Sequence, residues 1–292
     1  MERKDHLKNY KYRIISVSAV IICFFLWYFL TKFHLVNEKL IPSPGRTWKA
    51  FAETMTDGYK GHLLTAHLGY SMKRLMSAFF LAVITAVPAG LLCGYSRRIR
   101  AAVEPFIEFY RPLPPLAYYT LLTLAFGIGD KSKVALLFLA CFAPIFVACV
   151  AAVKGIKMEY IQSAYSLGAN RWQLLYTIIL PSCLPNVFTG LRTAIGVGYS
   201  TLVAAEMVAA ATGIGWLVVD AGNWFRNDLI FVGIFVMGFT GLLIDWILRF
   251  LEKRSYHGKE GIKNEKNRNT VYSGQYGHMS VVRMRKSGKC SR

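Results

Sequence analysis

Apolar residues along this chain gather in long blocks rather than at the spacing of a half-buried strand or surface helix. Six blocks stand out, at residues 14–33, 75–95, 112–129, 134–153, 184–219 and 229–248. A helix crossing a bilayer needs roughly 20 apolar residues. The first block carries one charge, Lys32, and the next three carry none. The fifth is long, rich in Gly and Ala, and interrupted by Arg192 and Glu206; the sixth holds only Asp245. The pattern predicts an all-α integral membrane protein with six transmembrane helices. A cleaved signal peptide is the alternative for 14–33, but that run exceeds the usual 7–15 apolar residues and meets no small-residue cleavage site. It reads as a retained helix.

Composition narrows the class further. Of 292 residues, 54% are hydrophobic and 17% charged, and 35 Lys+Arg exceed 16 Asp+Glu by 19. Disorder and a secreted disulfide scaffold do not fit this balance. A nucleic-acid binder would not usually carry uncharged apolar runs, so no nucleic-acid partner is expected. With both termini cytoplasmic, the inner segments 1–13, 96–111, 154–183 and 249–292 hold 24 of the 35 basic residues, the bias the positive-inside rule asks for. This gives a basic N-terminus (1–13), a first span (14–33), an extracytoplasmic segment (34–70), a core (71–251) and a basic cytoplasmic tail (252–292) expected to be disordered. Weak contact of that tail with anionic lipid is open. The six cysteines form no CxxC pair and the six histidines no HExxH, so no metal or cofactor is expected.

Two linkers carry local signals. Ser43-Pro44 can cap and start a helix, with Trp48, Phe51 and Met55 on one apolar face suited to the outer membrane surface. Pro112, Pro114 and Pro115 forbid a straight helix before Leu116. The result is either a stiff interface loop or a bend lining a path.

The inner segment 154–181 is the most informative. Tyr160, Ala164 and Leu167 recur at helical spacing; Gly168 can end that helix in a left-handed conformation, and Asn170 can cap the next. Trp172, Leu175 and Ile179 repeat again before Leu180-Pro181, which should stop the second helix. A helix–turn–helix with an apolar stripe needs a groove to sit in.

Gln162-Ser163-Ala164, then Gly168-Ala169 and Leu180-Pro181, resembles the "EAA" loop of binding-protein-dependent ABC importer permeases, with Gln162 in place of the Glu. Ile41-Pro42-Ser43-Pro44, Phe126-Gly127-Ile128-Gly129, Gly190-Leu191-Arg192 and Ala205-Glu206-Met207 are similar to the nitrate/sulfonate/taurine branch, and 114–120 looks most like taurine permeases. The resemblance covers roughly residues 40–255. It implies the type I ABC importer permease fold, with Tyr160, Gln162, Ser163, Ala164, Leu167, Gly168, Ala169, Leu180 and Pro181 in a cytoplasmic coupling loop. The implied partners are a cytoplasmic ABC ATPase dimer, an extracytoplasmic substrate-binding protein, a second permease copy and membrane lipid. The absence of any GxxxxGK[ST] loop agrees with a chain that is not itself the P-loop ATPase.

Tyr118, Tyr119, Arg192 and Glu206 are the candidates for a translocation path. Intramembrane charge is costly and usually faces a cavity or a partner. Arg192 and Glu206 lie about 21 Å apart along one helix, too far to pair. Arg192 either snorkels to the inner interface or meets an anionic or zwitterionic substrate; Glu206 suits a buried interhelical contact. The Gly- and Ala-rich run around them packs either within one subunit or at a permease–permease seam. The competing classes are an ion-coupled secondary carrier, for which matched broken helices are wanting, and a membrane enzyme, for which paired carboxylates and a nucleophile elbow are wanting.

Overall fold

The computed structural model describes residues 2–38 and 40–256, and side chains throughout these except at 2–14, 171–172 and 253–256. Helix α1 (Glu2–Lys32) leads through a short linker to α2 (Pro44–Thr56) and then α3 (Leu64–Tyr95). Next come α4 (Arg97–Tyr110), α5 (Pro115–Phe126) and α6 (Asp130–Lys154). The hairpin is α7 (Met158–Ser166) and α8 (Arg171–Leu174), followed without a break by a π-turn (Leu175–Ile179) and α9 (Leu180–Ala209). The last two are α10 (Ile214–Asn223) and α11 (Asn227–Tyr256). The expected tail beyond Tyr256 lies outside the described residues.

Among the described residues five helical stretches are long and apolar enough to cross a bilayer: Ile15–Lys32, Leu64–Tyr95, Asp130–Lys154, Leu175–Ala209 and Asn227–Glu252. The expected third span is different. Pro114 and Pro115 start α5, Gly127 (φ +81°) ends it, and only 12 residues lie between. At 1.5 Å per residue α5 is about 18 Å long, short of a hydrocarbon core of about 30 Å. Yet the chain must return across. Arg74, near the start of α3, bonds Asp130 at the start of α6, while Gly90 and Gly94, near the end of α3, abut Cys149 and Val153 near the end of α6. Helices α3 and α6 are therefore parallel, and the connection between them is α4 and the short apolar α5 in place of a single straight helix.

Small residues let α3, α6 and α9 approach closely. Leu75, Ala78, Ala82 and Ala86 meet Leu137, Cys141, Cys149 and Ala194 in one buried cluster. A Cβ on Gly190 would fall 2.3 Å from Ala148, and one on Gly198 would fall 2.6 Å from the Cys141 sulfur. These glycines thus serve packing within the subunit, the first of the two readings their composition allowed.

The fifth apolar block is also not one helix. It ends at Ala209, turns at Gly213 (φ +125°) and resumes as α10. Helix α2 begins as the sequence expects: Ser43 accepts from the Arg46 amide and Pro44 occupies the first turn. Its buried face, however, is Thr47, Ala50 and Thr54. Trp48 and Met55 stay exposed and, with Phe51, line an apolar cleft of about 1000 Å³ shared with Trp27, Phe235 and Met72. Helix α1 stands apart, with 6% of its apolar window buried; Trp27 near its end stacks on Phe231 of α11.

Candidate coupling hairpin and translocation site

The hairpin is built by local hydrogen bonding. Ala169 donates to the Ala164 carbonyl and Gly168 to that of Tyr165, both at 3.0 Å. This is the paired closure of a helix that ends in a left-handed residue, and Gly168 sits at φ +79°. Asn170 and Gln173 then cap each other's backbone: the Gln173 amide donates to Asn170 Oδ1 at 2.8 Å, and the Asn170 amide to Gln173 Oε1 at 2.9 Å. That reciprocal arrangement satisfies two donors the helix start would leave open.

The second arm departs from expectation. Leu180-Pro181 does not stop it. A π-turn over Leu175–Ile179 precedes Pro181, and the chain continues into α9. Such a turn relieves the clash and missing donor that a proline imposes on a regular helix. The second arm is thus the root of the long apolar helix α9.

The expected stripe also divides. Ala164 is buried, whereas Tyr160 is 51% and Leu167 88% exposed. Leu174 and Ile179 are fully buried in the core. Gln162 and Ser163 are exposed, with the Ser163 hydroxyl donating to the Glu159 carbonyl at 2.7 Å. Ala169 and Leu180 are half-buried against the core and Pro181 is exposed; the Trp172 side chain is outside the described set. Ala164, Leu174 and Ile179 hold the hairpin to its own chain, and Met158, Tyr160, Leu167 and Tyr176 are presented outward.

The four proposed path residues do not converge. Tyr118 lines a cavity of about 530 Å³ between α5, α6 and α9. Tyr119 is buried behind it, against Leu136 and Ala205. Arg192 does not line that cavity: its Nε lies 2.6 Å from Asp245 Oδ1 on α11. Asp245 in turn accepts from Arg249 at 2.7 Å.

Glu206 is 1% exposed and lies at the end of the bundle opposite the hairpin. Its carboxylate accepts from Arg74 Nη1 at 2.8 Å, from the Ser71 hydroxyl at 2.8 Å and from the Gly215 amide at 3.0 Å. Arg74 also donates to the Thr212 carbonyl at 2.7 Å and to Asp130 Oδ1 at 2.8 Å. The start of α10 supplies the Gly215 amide, and its helix dipole favours a carboxylate there. Ser71 accepts from the Ile214 amide at 3.0 Å. The sequence left Arg74 unmarked because it precedes the uncharged run 75–95 and so counts as a loop charge. The usable signal was complementarity, since each carboxylate within an apolar block needs a cation.

Outside the spans, Tyr59 and Lys60 on the α2–α3 linker both bond Asp220 of α10, at 2.7 and 3.0 Å. Partial burial would raise the Asp220 carboxyl's pKa, but the hydrogen bonds from Lys60 and Tyr59 and the Lys60 charge outweigh it and hold the carboxyl below its ordinary range. Lys60 also lies 5.0 Å from the Trp224 ring centroid.

Residues 86–255 match the family described as binding-protein-dependent transport system inner membrane component. The chain belongs to this family. It is an ABC transporter permease subunit and not an enzyme, with ATP hydrolysis residing in a separate subunit. The permease is 37% identical over 269 residues to the taurine transport system permease protein TauC of Escherichia coli (strain K12), covering 89% of this chain and 98% of the relative. It is 28% identical to the putative aliphatic sulfonates transport permease protein SsuC of Bacillus subtilis (strain 168), over 87% of this chain and 90% of the relative. The nitrate import permease protein NrtB of Leptolyngbya laminosa is 30% identical over 63% of this chain and 66% of the relative. Among solved structures, an inward-facing form of the MetNI methionine ABC transporter shares the fold, with a TM-score of 0.51 at 16% identity over 63% of this chain and 95% of that one. The permease is thus a multi-pass membrane protein of the ABC-importer type.

Proposed function

We propose that this permease carries a small sulfonate, taurine first, across the cytoplasmic membrane into the cell. The observation that carries the reading is the 37% identity to the taurine relative, sustained over 98% of that relative's length. Two copies form the path, an ATPase dimer binds below, and a loaded substrate-binding protein docks outside. Both chain termini are cytoplasmic, which the excess of Lys and Arg in the inner segments supports.

The hairpin is the coupling element. Tyr160 and Leu167 enter a groove on the ATPase, while Gln162 and Ser163 face it. Ala164 holds the first arm to the core, Gly168 and Ala169 set the turn, and Leu180-Pro181 join the hairpin to α9. ATP binding closes the ATPase dimer and favours one of two arrangements of the bundle, and hydrolysis restores the other. The continuous second arm supports this reading, because a push on the hairpin reaches α9 without crossing a flexible joint. Import of an aliphatic sulfonate by the same machinery is the second reading, supported by the 28% identity to the sulfonate relative.

The test is ATP-dependent uptake of radiolabelled taurine, ethanesulfonate and nitrate by the reconstituted complex. Taurine is the preferred cargo on this account. Uptake that runs without the ATPase and collapses with an uncoupler would instead identify an ion-coupled carrier.

A further inference from the structure

The cavity between α5, α6 and α9 has two kinds of wall. Ala140, Ala143, Ala148 and Ala151 of α6 and Gly190 of α9 make a smooth apolar floor. The remainder mixes apolar side chains, Leu113, Leu139, Val147 and Val197 among them, with a band of polar ones. Arg111 and Tyr118 come from the α4–α5 bend and α5; Asn186, Thr189 and Thr193 follow one another at i, i+3, i+7 on α9. Polar side chains on one face of a spanning helix are costly against lipid and mark a cavity or a partner.

The bonding state of these groups sorts them by chemistry. The Arg111 guanidinium, the Tyr118 hydroxyl and the Asn186 amide have no hydrogen-bond partner among the described residues, although other side chains of α5 and α9 do. They are donors held ready. Thr189 and Thr193 have already spent their protons on the carbonyls of Pro185 and Thr189, at 3.1 and 3.0 Å. Their oxygens are left as acceptors. One wall therefore suits an anion and the adjacent ladder suits an ammonium. Asn186 and Thr189 are about 4.5 Å apart along the helix axis, within the span of one short molecule carrying both charges.

We infer that this cavity is a transit subsite for a small zwitterion, with its oxyanion on Arg111, Tyr118 and Asn186 and its ammonium on Thr189 and Thr193. The inference rests on the importer reading above and deepens it. It selects an amino-sulfonate over a simple sulfonate or nitrate by a feature of the permease itself. It also explains why the charged residues of α9 lie elsewhere: a fixed carboxylate here would bind the ammonium too tightly for release.

The experiment uses the detergent-purified permease–ATPase complex without the binding protein, so that the cavity is read directly. Binding of taurine, ethanesulfonate and ethylamine is followed by ligand-observed NMR, alongside ATP-driven uptake of taurine and ethanesulfonate by vesicles that also receive the binding protein. Taurine should bind more tightly than either half-molecule. Thr189→Val with Thr193→Val should reduce taurine to the level of ethanesulfonate, about ten-fold, leaving ethanesulfonate unchanged. Arg111→Gln should weaken both sulfonates and spare ethylamine. Normal complex assembly and ATP hydrolysis in each variant separate these effects from misfolding. Equal binding of taurine and ethanesulfonate, or indifference to the threonine changes, overturns the subsite even where uptake is ATP-driven. Absence of ATP-driven uptake of either sulfonate in the wild-type complex overturns the importer reading beneath it.

Discussion

Arg74 Nη1 lies 2.8 Å from Glu206 Oε1, and both side chains are almost wholly enclosed, at 6% and 1% exposure. The pair joins α3 to α9. Through Thr212 and the Gly215 amide it also fixes the turn into α10. Each of the three Arg74 side-chain nitrogens has a partner, the condition under which a buried charge is tolerated.

Removing the cation alone should therefore be severe. Arg74→Ala leaves the buried Glu206 carboxylate without its cation, at a cost of about 3–5 kcal/mol, whereas Glu206→Ala leaves Arg74 with Asp130 and should cost less. The apolar pair Arg74→Met with Glu206→Leu should recover much of that loss. Thermal stability of the purified complex checks it; additive losses would show that the two groups do not act as a unit.

Two glycines should respond differently to the same change. Gly168 has φ +79° with open space around it, so Gly168→Ala costs only backbone strain, about 1–2 kcal/mol, and Gly168→Asn less. A Cβ on Gly213 would lie 2.4 Å from the Glu206 carboxylate. Gly213→Ala should thus be worse than Gly168→Ala by the thermal-shift measurement, and nearer in severity to Glu206→Ala.

The hydrogen-bonded clip at Asp220 should be acid-sensitive. Its carboxyl titrates below the ordinary value of about 3.9, so its contribution is complete above that value and is lost as pH falls through the depressed one. Acid should release Lys60 from Trp224, read as a change in tryptophan fluorescence that Asp220→Asn abolishes. An unchanged transition in that variant would assign it to another group.

Arg192 and Asp245 make the opposite kind of pair. At 33% and 38% exposure it is far less enclosed, and Asp245 keeps Arg249 as a second partner at 2.7 Å. Arg192→Gln should change stability little. Because Arg192 faces α11 and not the cavity, taurine uptake should also persist, which a path-lining role would not allow.

The contrast between these pairs shows what the sequence could convey. Span positions were legible because about 20 uninterrupted apolar residues have few other uses. Gly168 and Asn170 were legible because left-handed turns and caps demand particular residue types. The continuity of the hairpin with α9 was not, since a proline predicts a break and gives no sign that a π-turn will absorb it. Nor were the partners of Arg192 and Glu206, because long-range pairing depends on helix order and direction. Once α3 and α6 are seen to be parallel, Arg74 and Asp130 fall at one end of the bundle, where Glu206 also lies.

The central claim is that the exposed face of the hairpin meets a separate ATPase on the cytoplasmic side. Leu167, 88% exposed at the hairpin tip, is the place to measure it. Leu167→Cys in assembled membranes should react with an impermeant thiol reagent from the inner side only, above the wild-type background. Bound ATPase should protect it, and a short bifunctional reagent should cross-link it to that subunit in a nucleotide-dependent way. Labelling from the outer side, or reactivity indifferent to the ATPase and to nucleotide, would contradict the account.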